Sequence, residues 1–552
     1  MLRHDAIYLG TARRSDDSLA DPQYLLLNRA NRHGLITGST GTGKTISLQV
    51  MAEGFSRAGV PVFVADVKGD FSGIAVTGTP KDVLTRRAAD IGLADYTHSA
   101  VPTAFWDIFG EQGHTVRTTM AAMGPTMLAR LMEMNNAQRG ALAVVFRTAK
   151  ERGIALHTLD DLQTALASVT RMPITKYGAV SASSVGAVQR QLLTLEMQGG
   201  ASLFGQPVFD IMDLVRTTAD GRGVVNVLAA ERLMTAPRLY STFLLWLLTE
   251  LFDRMPEVGD MDRPKLVFFF DEAHLLFEEQ SKALLQKVEQ IVRMIRSKGV
   301  GIYFITQAPQ DIPESVLAQL GNRVQHAVRA YTPKALRAVQ TAADTFRPNP
   351  DLDVAAVISN LVVGEALVST LDAKGVPGMV QRTLIRPPAS RVGPISDDER
   401  VAIIAASPLA EKYKCVTARE DAAPITAETV MAQAADRLAA ADVQQQAAPL
   451  LATSSQNYTA SPWLYRVTAD GRTETWRYEV RGQTWRVCQG SPCGFESVGG
   501  WRTAPLGTVT NGHTGSAASN HDSARRDAHN EFTRMLALGY QIGPEQRMAM
   551  AG

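Results

Sequence analysis

A sheet covered by helices on both faces, the α/β class, is the fold that the sequence predicts, and two patterns predict it. Short runs of β-branched and aromatic residues recur through the first 385 residues, and stretches with helical spacing of apolar side chains separate them. The runs read as buried strands are Gly34–Thr37, Val60–Ala65, Val224–Leu228, Lys265–Phe270 and Gly301–Thr306. Length adds a third observation: 552 residues exceed what one hydrophobic core usually supports, so two or more units are expected.

The first strand, Gly34–Thr37, runs into Gly38-Ser39-Thr40-Gly41-Thr42-Gly43-Lys44-Thr45, which satisfies G-x-x-x-x-G-K-[ST] in full. Glycines let successive N–H groups curl around phosphate oxygens, and a helix over Ile46–Ala58 adds its positive dipole end. Lys44 is placed to neutralise the β and γ phosphates, and Thr45 to offer its hydroxyl to Mg²⁺. The eight residues Gly38–Thr45 are therefore the candidate nucleotide site. The second strand leads to Asp66-Val67-Lys68-Gly69-Asp70, where an acid can assist a metal or water network and Lys68 can face a phosphate or a neighbouring subunit. The same residues also suit a plain strand-to-helix turn. From Asp82 to Met212 strand-like runs are few, and the amphipathic patterns Pro125–Met134, Gln138–Glu151 and Ala187–Glu196 predict a mainly helical insertion.

Past the insertion, Leu266–Phe270 ends in Asp271-Glu272, a carboxylate pair at the mouth of a buried strand. Asp271 is the candidate for the Mg²⁺ shell and Glu272 for polarising the attacking water. The strand Gly301–Thr306 ends at Gln307, an amide able to sense the γ-phosphate or position water. Before it, Arg293-Met294-Ile295-Arg296-Ser297-Lys298 is a basic turn in which Arg293 or Arg296 can supply an arginine finger. Arginines at a helix C-terminus also serve simply as partners of the helix dipole, and Arg323 and Arg329 compete for the finger role.

The predicted organisation is 1–81 (first part of the ATPase core), 82–212 (insertion), 213–415 (rest of the core), 416–460 (an Ala/Gln-rich linker with a candidate helix Thr426–Gln446) and 461–552. The last part holds Trp463, Trp476, Trp485 and Trp501. Hairpin-like alternation at Trp463–Val467 and Thr475–Val480, then a helical pattern at Ser523–Leu538 stopped by Gly539, reads as a small α+β module. Cys488 and Cys493 lack a complete tetrahedral set around them and read as a metal-free turn. The pairs Trp476-Arg477, Trp485-Arg486 and Trp501-Arg502 suit stacking on bases if exposed, and equally a core or protein interface.

Composition excludes several classes. The 56 Lys+Arg against 55 Asp+Glu give a net charge of +1, which rules out a disordered chain and a protein that grips nucleic acid through a uniform excess of positive charge. Three cysteines point to a reducing cytoplasm. The start, Met1–Ala6, has no apolar signal region. The runs Leu266–Phe270 and Phe243–Leu248 fall far short of the ~20 residues that cross a bilayer, so no direct membrane insertion is expected.

Taken together, Asn31-Arg32-His33-Gly34-Leu35, Asp66-Val67-Lys68-Gly69-Asp70, Phe268-Phe269-Phe270-Asp271-Glu272-Ala273-His274 and Thr306-Gln307-Ala308-Pro309 resemble the HerA-like ATPases of the FtsK/HerA superfamily of ring-shaped DNA pumps, in a bacterial branch. Phe105–Gly110, Val116–Thr119, Tyr177-Gly178 and Phe346–Pro350 also look like that branch, so that residues 1–415 resemble it and the tail does not. The resemblance implies a RecA-like P-loop core, a homo-hexamer, ATP hydrolysis with Mg²⁺ at subunit interfaces, and movement of double-stranded DNA, with a nuclease or another protein as a further partner. It also gives Gln307 the sensor place and the Arg293/Arg296 segment the finger place. Asp271-Glu272-Ala273-His274 spells the label of another helicase superfamily, but the arginine-bearing motifs of a second RecA-like domain are absent after Pro388, and His274 reads as structural. The rival reading is an ATP-gated ring scaffold or signalling ATPase that recruits a partner through its C-terminal module. Near-zero net charge favours it slightly.

Overall fold

The computed structural model describes residues 3–414, apart from 170–176, 179, 260, 278–281 and 330–331, and beyond 414 only strands between residues 458 and 542. The chain divides into two compact units, Met1–Pro424 and Ile425–Gly552. In the first, β1 (Ala6–Arg13), β2 (Leu19–Leu26) and β3 (Gly34–Thr37) lead to α1 (Lys44–Arg57), followed by β4 (Val62–Asp66), α2 (Asp82–Asp90), β5 (Thr103–Asp107) and β6 (His114–Thr115). Four helices come next: α3 (Met120–Leu131), α4 (Asn136–Arg152), α5 (Leu159–Val169) and α6 (Ala182–Met197). The chain then forms β7 (Val225–Ala229), α7 (Pro237–Arg254), β8 (Leu266–Phe270), α8 (Lys282–Met294), β9 (Val300–Thr306), α9 (Glu314–Leu317) and β10 (Asn322–Gln325). It closes with α10 (Pro333–Asp344), α11 (Val354–Asn360), β11 (Glu365–Ser369), β12 (Gln381–Ile385) and α12 (Asp397–Ala406).

All twelve strands join one sheet in the order β2-β1-β12-β11-β10-β3-β9-β8-β4-β7-β5-β6. Pairing is parallel from β10 through to β6 and antiparallel from β11 out to β2. The phosphate-loop strand β3 and the acid strand β8 are separated by β9 alone, so the core is a RecA-like α/β sheet whose strands all deliver their C-termini to one edge. Alternation explains the apolar runs. Leu266, Phe268 and Phe270 of β8 enter one hydrophobic core while Val267 and Phe269 enter the core on the opposite face, and β4 divides likewise into Phe63 and Ala65 against Val62 and Val64. A strand with both faces covered has no position left for a polar side chain.

The segment 82–212 differs from the predicted mainly helical insertion in one respect. Its strands β5 and β6 belong to the main sheet, and the helices α3 to α6 pack on one of its cores. The strand is disguised by Asp107, which is buried at its end and accepts hydrogen bonds from the backbone N–H groups of Phe109 (2.9 Å), Glu111 (2.8 Å) and Gln112 (2.9 Å). A buried acid capping a turn gives a strand the look of a loop.

Helix α1 is latched at its far end. Glu53, 2% exposed, accepts from the Arg386 guanidinium at 2.7 Å, the N–H groups of Ala389 (3.0 Å) and Ser390 (2.9 Å), and the Ser390 hydroxyl at 2.7 Å. Glu53→Ala would leave the buried Arg386 charge and two amides without a partner. Its expected cost is about 3–5 kcal/mol of stability, seen as a lower urea midpoint, because removing one member of a buried pair strands the other. An unchanged midpoint would show that the latch is not part of the stabilising core.

Among the described residues, no helix is long and apolar enough to cross a membrane. In the second unit, β13 (Tyr458–Ala460), β14 (Leu464–Val467), β15 (Thr473–Arg481), β16 (Thr484–Ser491), β17 (Gly494–Val498), β18 (Arg502–Thr503) and β19 (Gln541–Ile542) form a separate antiparallel sheet. The predicted helices Thr426–Gln446 and Ser523–Leu538, together with Trp463, Trp501 and Cys493, lie outside the described residues.

Candidate functional site

The turn after β3 requires glycine for two distinct reasons. Gly38, Gly41 and Gly43 adopt φ of 145°, 77° and 118°, which side-chain-bearing residues rarely hold. At Gly38 a Cβ would also lie 2.6 Å from the Cβ of His326, whereas beside Gly41 there is open space. The loop therefore presses against His326 on one side and is free on the other. Ser39 N–H donates to the Ala327 carbonyl at 2.8 Å, and the Ser39 hydroxyl accepts from Arg329 N–H at 3.0 Å. The Thr42 hydroxyl donates to the Ser39 carbonyl at 2.7 Å.

Lys44 is the first residue of α1 and its side chain is folded back under the loop. The ammonium donates to the carbonyls of Gly38 (2.6 Å) and Ser39 (3.2 Å). Burial, then the charge of Lys68, lower its pKa against the pull of Glu272 and Asp271. Register places the remaining groups. Thr37 pairs with Thr306, so Gly38 and the exposed Gln307 leave neighbouring strands side by side, and the turn after Gln307 is held by Asp311, which accepts from the Thr306 hydroxyl at 2.6 Å and Ala308 N–H at 3.0 Å. Ala65 pairs with Phe270, which brings Asp66–Asp70 next to Asp271-Glu272.

The result is a crowded set of acids. Burial, then Asp70 and Asp271, push the Asp66 carboxyl up to about 7, and burial pushes Asp271 up to about 6 even against the charge of Lys68. Asp66 is occupied by the backbone, accepting from Gly69 N–H at 2.9 Å and Phe71 N–H at 3.1 Å. Asp271 accepts from Glu272 N–H at 2.9 Å. Glu272, at the left-handed φ of 46°, meets the Lys68 ammonium at 2.6 Å through Oε1. Burial favours its neutral form, but the hydrogen bond and charge of Lys68 outweigh this and leave its pKa below the ordinary carboxylate value. Oε2 is buried without a hydrogen-bond partner, 3.3 Å from His274 Nδ1.

These residues fit a divalent cation: desolvated, mutually repelling acids are relieved by positive charge, and the Thr45 hydroxyl lies 3.4 Å from Asp70 in the same corner. No group of three or more His, Cys, Asp or Glu forms a metal cage among the described residues. That suits Mg²⁺, which takes one or two protein ligands and the rest from phosphates and water.

Two residues of the site escaped the sequence reading. His326 lies under the loop, where its Nδ1 donates to the Glu365 carbonyl at 2.9 Å and its Nε2 accepts from the Ser47 hydroxyl at 2.8 Å. Burial lowers its pKa to about 4, so the imidazole is neutral. Tyr240 of α7 is buried with its hydroxyl unpartnered, and burial together with Asp271, Glu272 and Asp66 raises its pKa. A histidine just past the strand beside β3 was a readable signal. A tyrosine in an apolar helix offered none.

The arginines are not brought to this site. The turn from Arg293 to Lys298 precedes β9 while Gln307 follows it, so Arg293 and Arg296 lie about 20 Å of strand away at the opposite edge, where the Arg296 charge acts on His33 just before β3. Arg323 donates to the carbonyls of Leu317, Leu320 and Thr345, and the Arg329 guanidinium to those of Ser359 and Leu361, so both brace their own chain.

The family model of the helicase HerA-like C-terminal domain matches residues 11–487. The chain belongs to the HerA-like family. The match runs beyond the 1–415 that the sequence motifs cover, into β16 of the second unit. Among solved structures, this HerA-like chain is similar to VirB4 of Thermoanaerobacter pseudethanolicus, with 15% identity and a TM-score of 0.45 over 70% of this chain and 97% of that one. It is also similar to the bacterial conjugative coupling protein TrwBdeltaN70, with 14% identity and a TM-score of 0.43 over 67% and 90%. The plasmid coupling protein TrwB in complex with ADP and Mg²⁺ gives 15% identity and a TM-score of 0.44 over 67% and 89%. No curated protein matches the chain.

Proposed function

We propose that this HerA-like protein is a Mg²⁺-dependent ATPase, acting as a homo-hexamer in the cytoplasm, whose turnover drives movement on double-stranded DNA. The observation that carries the reading is the convergence of Gly38–Thr45, Asp271, Glu272 and Gln307 on one edge of one sheet. Backbone N–H groups of the loop and the start of α1 bind the phosphates, and Lys44 leaves its carbonyl partners to meet them. Thr45 and Asp271 hold Mg²⁺, which when bound neutralises phosphate charge. Glu272 accepts the proton of a water whose oxygen bonds to the γ-phosphorus as the bond to the ADP oxygen breaks, and Gln307 orients that water. Arg293 or Arg296, far from the site of its own chain, reaches the site of a neighbouring subunit. A nuclease or another protein is the further partner.

The test for the track is direct. Double-stranded DNA is expected to stimulate ATP turnover and to bind with an affinity that falls steeply as salt rises. ATP turnover indifferent to DNA, with no salt-dependent binding, would remove the pump reading and leave the ATP-gated scaffold, which the net charge of +1 favours.

A further inference from the structure

Glu272 is restrained before substrate arrives. β4 and β8 are parallel neighbours, so the loops that follow them leave the sheet together, and the Lys68 ammonium lies 2.6 Å from Glu272 Oε1. The backbone under Lys68 is fixed. Asp66 accepts from two N–H groups of the loop, and at Gly69, with φ of 72°, a Cβ would fall 1.5 Å from the Glu231 carboxylate. The Lys68 side chain, 37% exposed, keeps its freedom.

We propose that Lys68 is a positioning residue that holds Glu272 in a resting pose until the terminal phosphate of a bound nucleoside triphosphate draws the ammonium away. A carboxylate oxygen that accepts from an ammonium has no lone pair to spare for the proton of water. Lys44 and Lys68 repel one another across the same space, so a polyphosphate entering between them gains from both. A diphosphate lacks the terminal group and leaves the pair closed. Charge exchange at Lys68 thus ties the readiness of the base to the presence of the bond to be cut. The idea rests on the ATPase reading above.

The test compares the full-length wild type with Lys68→Met and Lys68→Arg in unstimulated ATP turnover, each also in a Glu272→Gln background. An ion pair with one partner partly in solvent holds the rate down by about three- to fivefold. Lys68→Met is therefore expected to raise kcat by that factor with KM changed less than about twofold, and Lys68→Arg to restore the restraint. In the Glu272→Gln background Lys68→Met should change nothing, because it acts through Glu272. A Lys68→Met rate equal to or below wild type overturns the proposal. A wild type that neither binds nor hydrolyses ATP overturns the ATPase reading instead. Should Lys68→Met not fold, the wild-type structure with a non-hydrolysable ATP analogue decides: the Lys68–Glu272 contact must open with the analogue and persist with ADP, and a contact closed in both ends the idea.

Discussion

Glu272→Gln lowers ATP turnover by about 10²- to 10⁴-fold while ATP binding survives, as expected when a general base is removed and nothing else. The substitution is nearly isosteric. The amide oxygen still accepts from Lys68, and the backbone keeps its hydrogen bond to Asp271, so the left-handed turn is held as before. What disappears is the basicity. Buried at the end of β8, Glu272 has no carboxylate beside it that could take over without cost: Asp66 is bound to two backbone amides, and Asp271 is committed to its neighbour's N–H and to the metal role. Single-turnover hydrolysis together with titration of a fluorescent ATP analogue separates the two quantities. Turnover that survives unchanged would place the base elsewhere.

Lys44→Ala has the opposite profile: ATP affinity falls by about 10- to 100-fold, the loss expected for a charge-assisted hydrogen bond to phosphate worth roughly 1.5–3 kcal/mol. Turnover falls with it. The fold should tolerate the change, because the lost ammonium was buried at a desolvation cost and bonded only to the carbonyls of Gly38 and Ser39, which face the open side of the loop. The same ATP titration reads the effect, and circular dichroism checks the fold. Wild-type affinity in Lys44→Ala would mean that Gly38–Thr45 is a structural turn and not a phosphate site.

The two predictions draw on parts of the molecule that differed in how far the sequence revealed them. The phosphate loop was fully legible, since φ above zero and a helix start are local properties that three glycines and a Lys-Thr pair spell out. The strand β8 was legible because both of its faces are covered. The antiparallel strands were not. Their burial is hidden by polar residues such as Glu365, fully buried between Arg13 and Arg382 at 2.9 Å each, and a charge satisfied by partners hundreds of residues away looks like a surface charge in a string of letters. β5 was masked in the same way by Asp107.

The sequence by itself determined the α/β class, the loop that cradles phosphate and the carboxylate pair at the end of an apolar strand, because each is a pattern over fewer than about ten residues with a local physical cause. Only the tertiary structure decided which strands flank one another, that Lys68 closes on Glu272, that His326 forms the floor of the loop, and that Arg293 and Arg296 face away from the site of their own chain. The reason is the sheet. Parallel strands far apart in sequence meet at one edge only after the crossovers between them are fixed, and that edge, where the acids and the lysines face each other, is where the chemistry is proposed to lie.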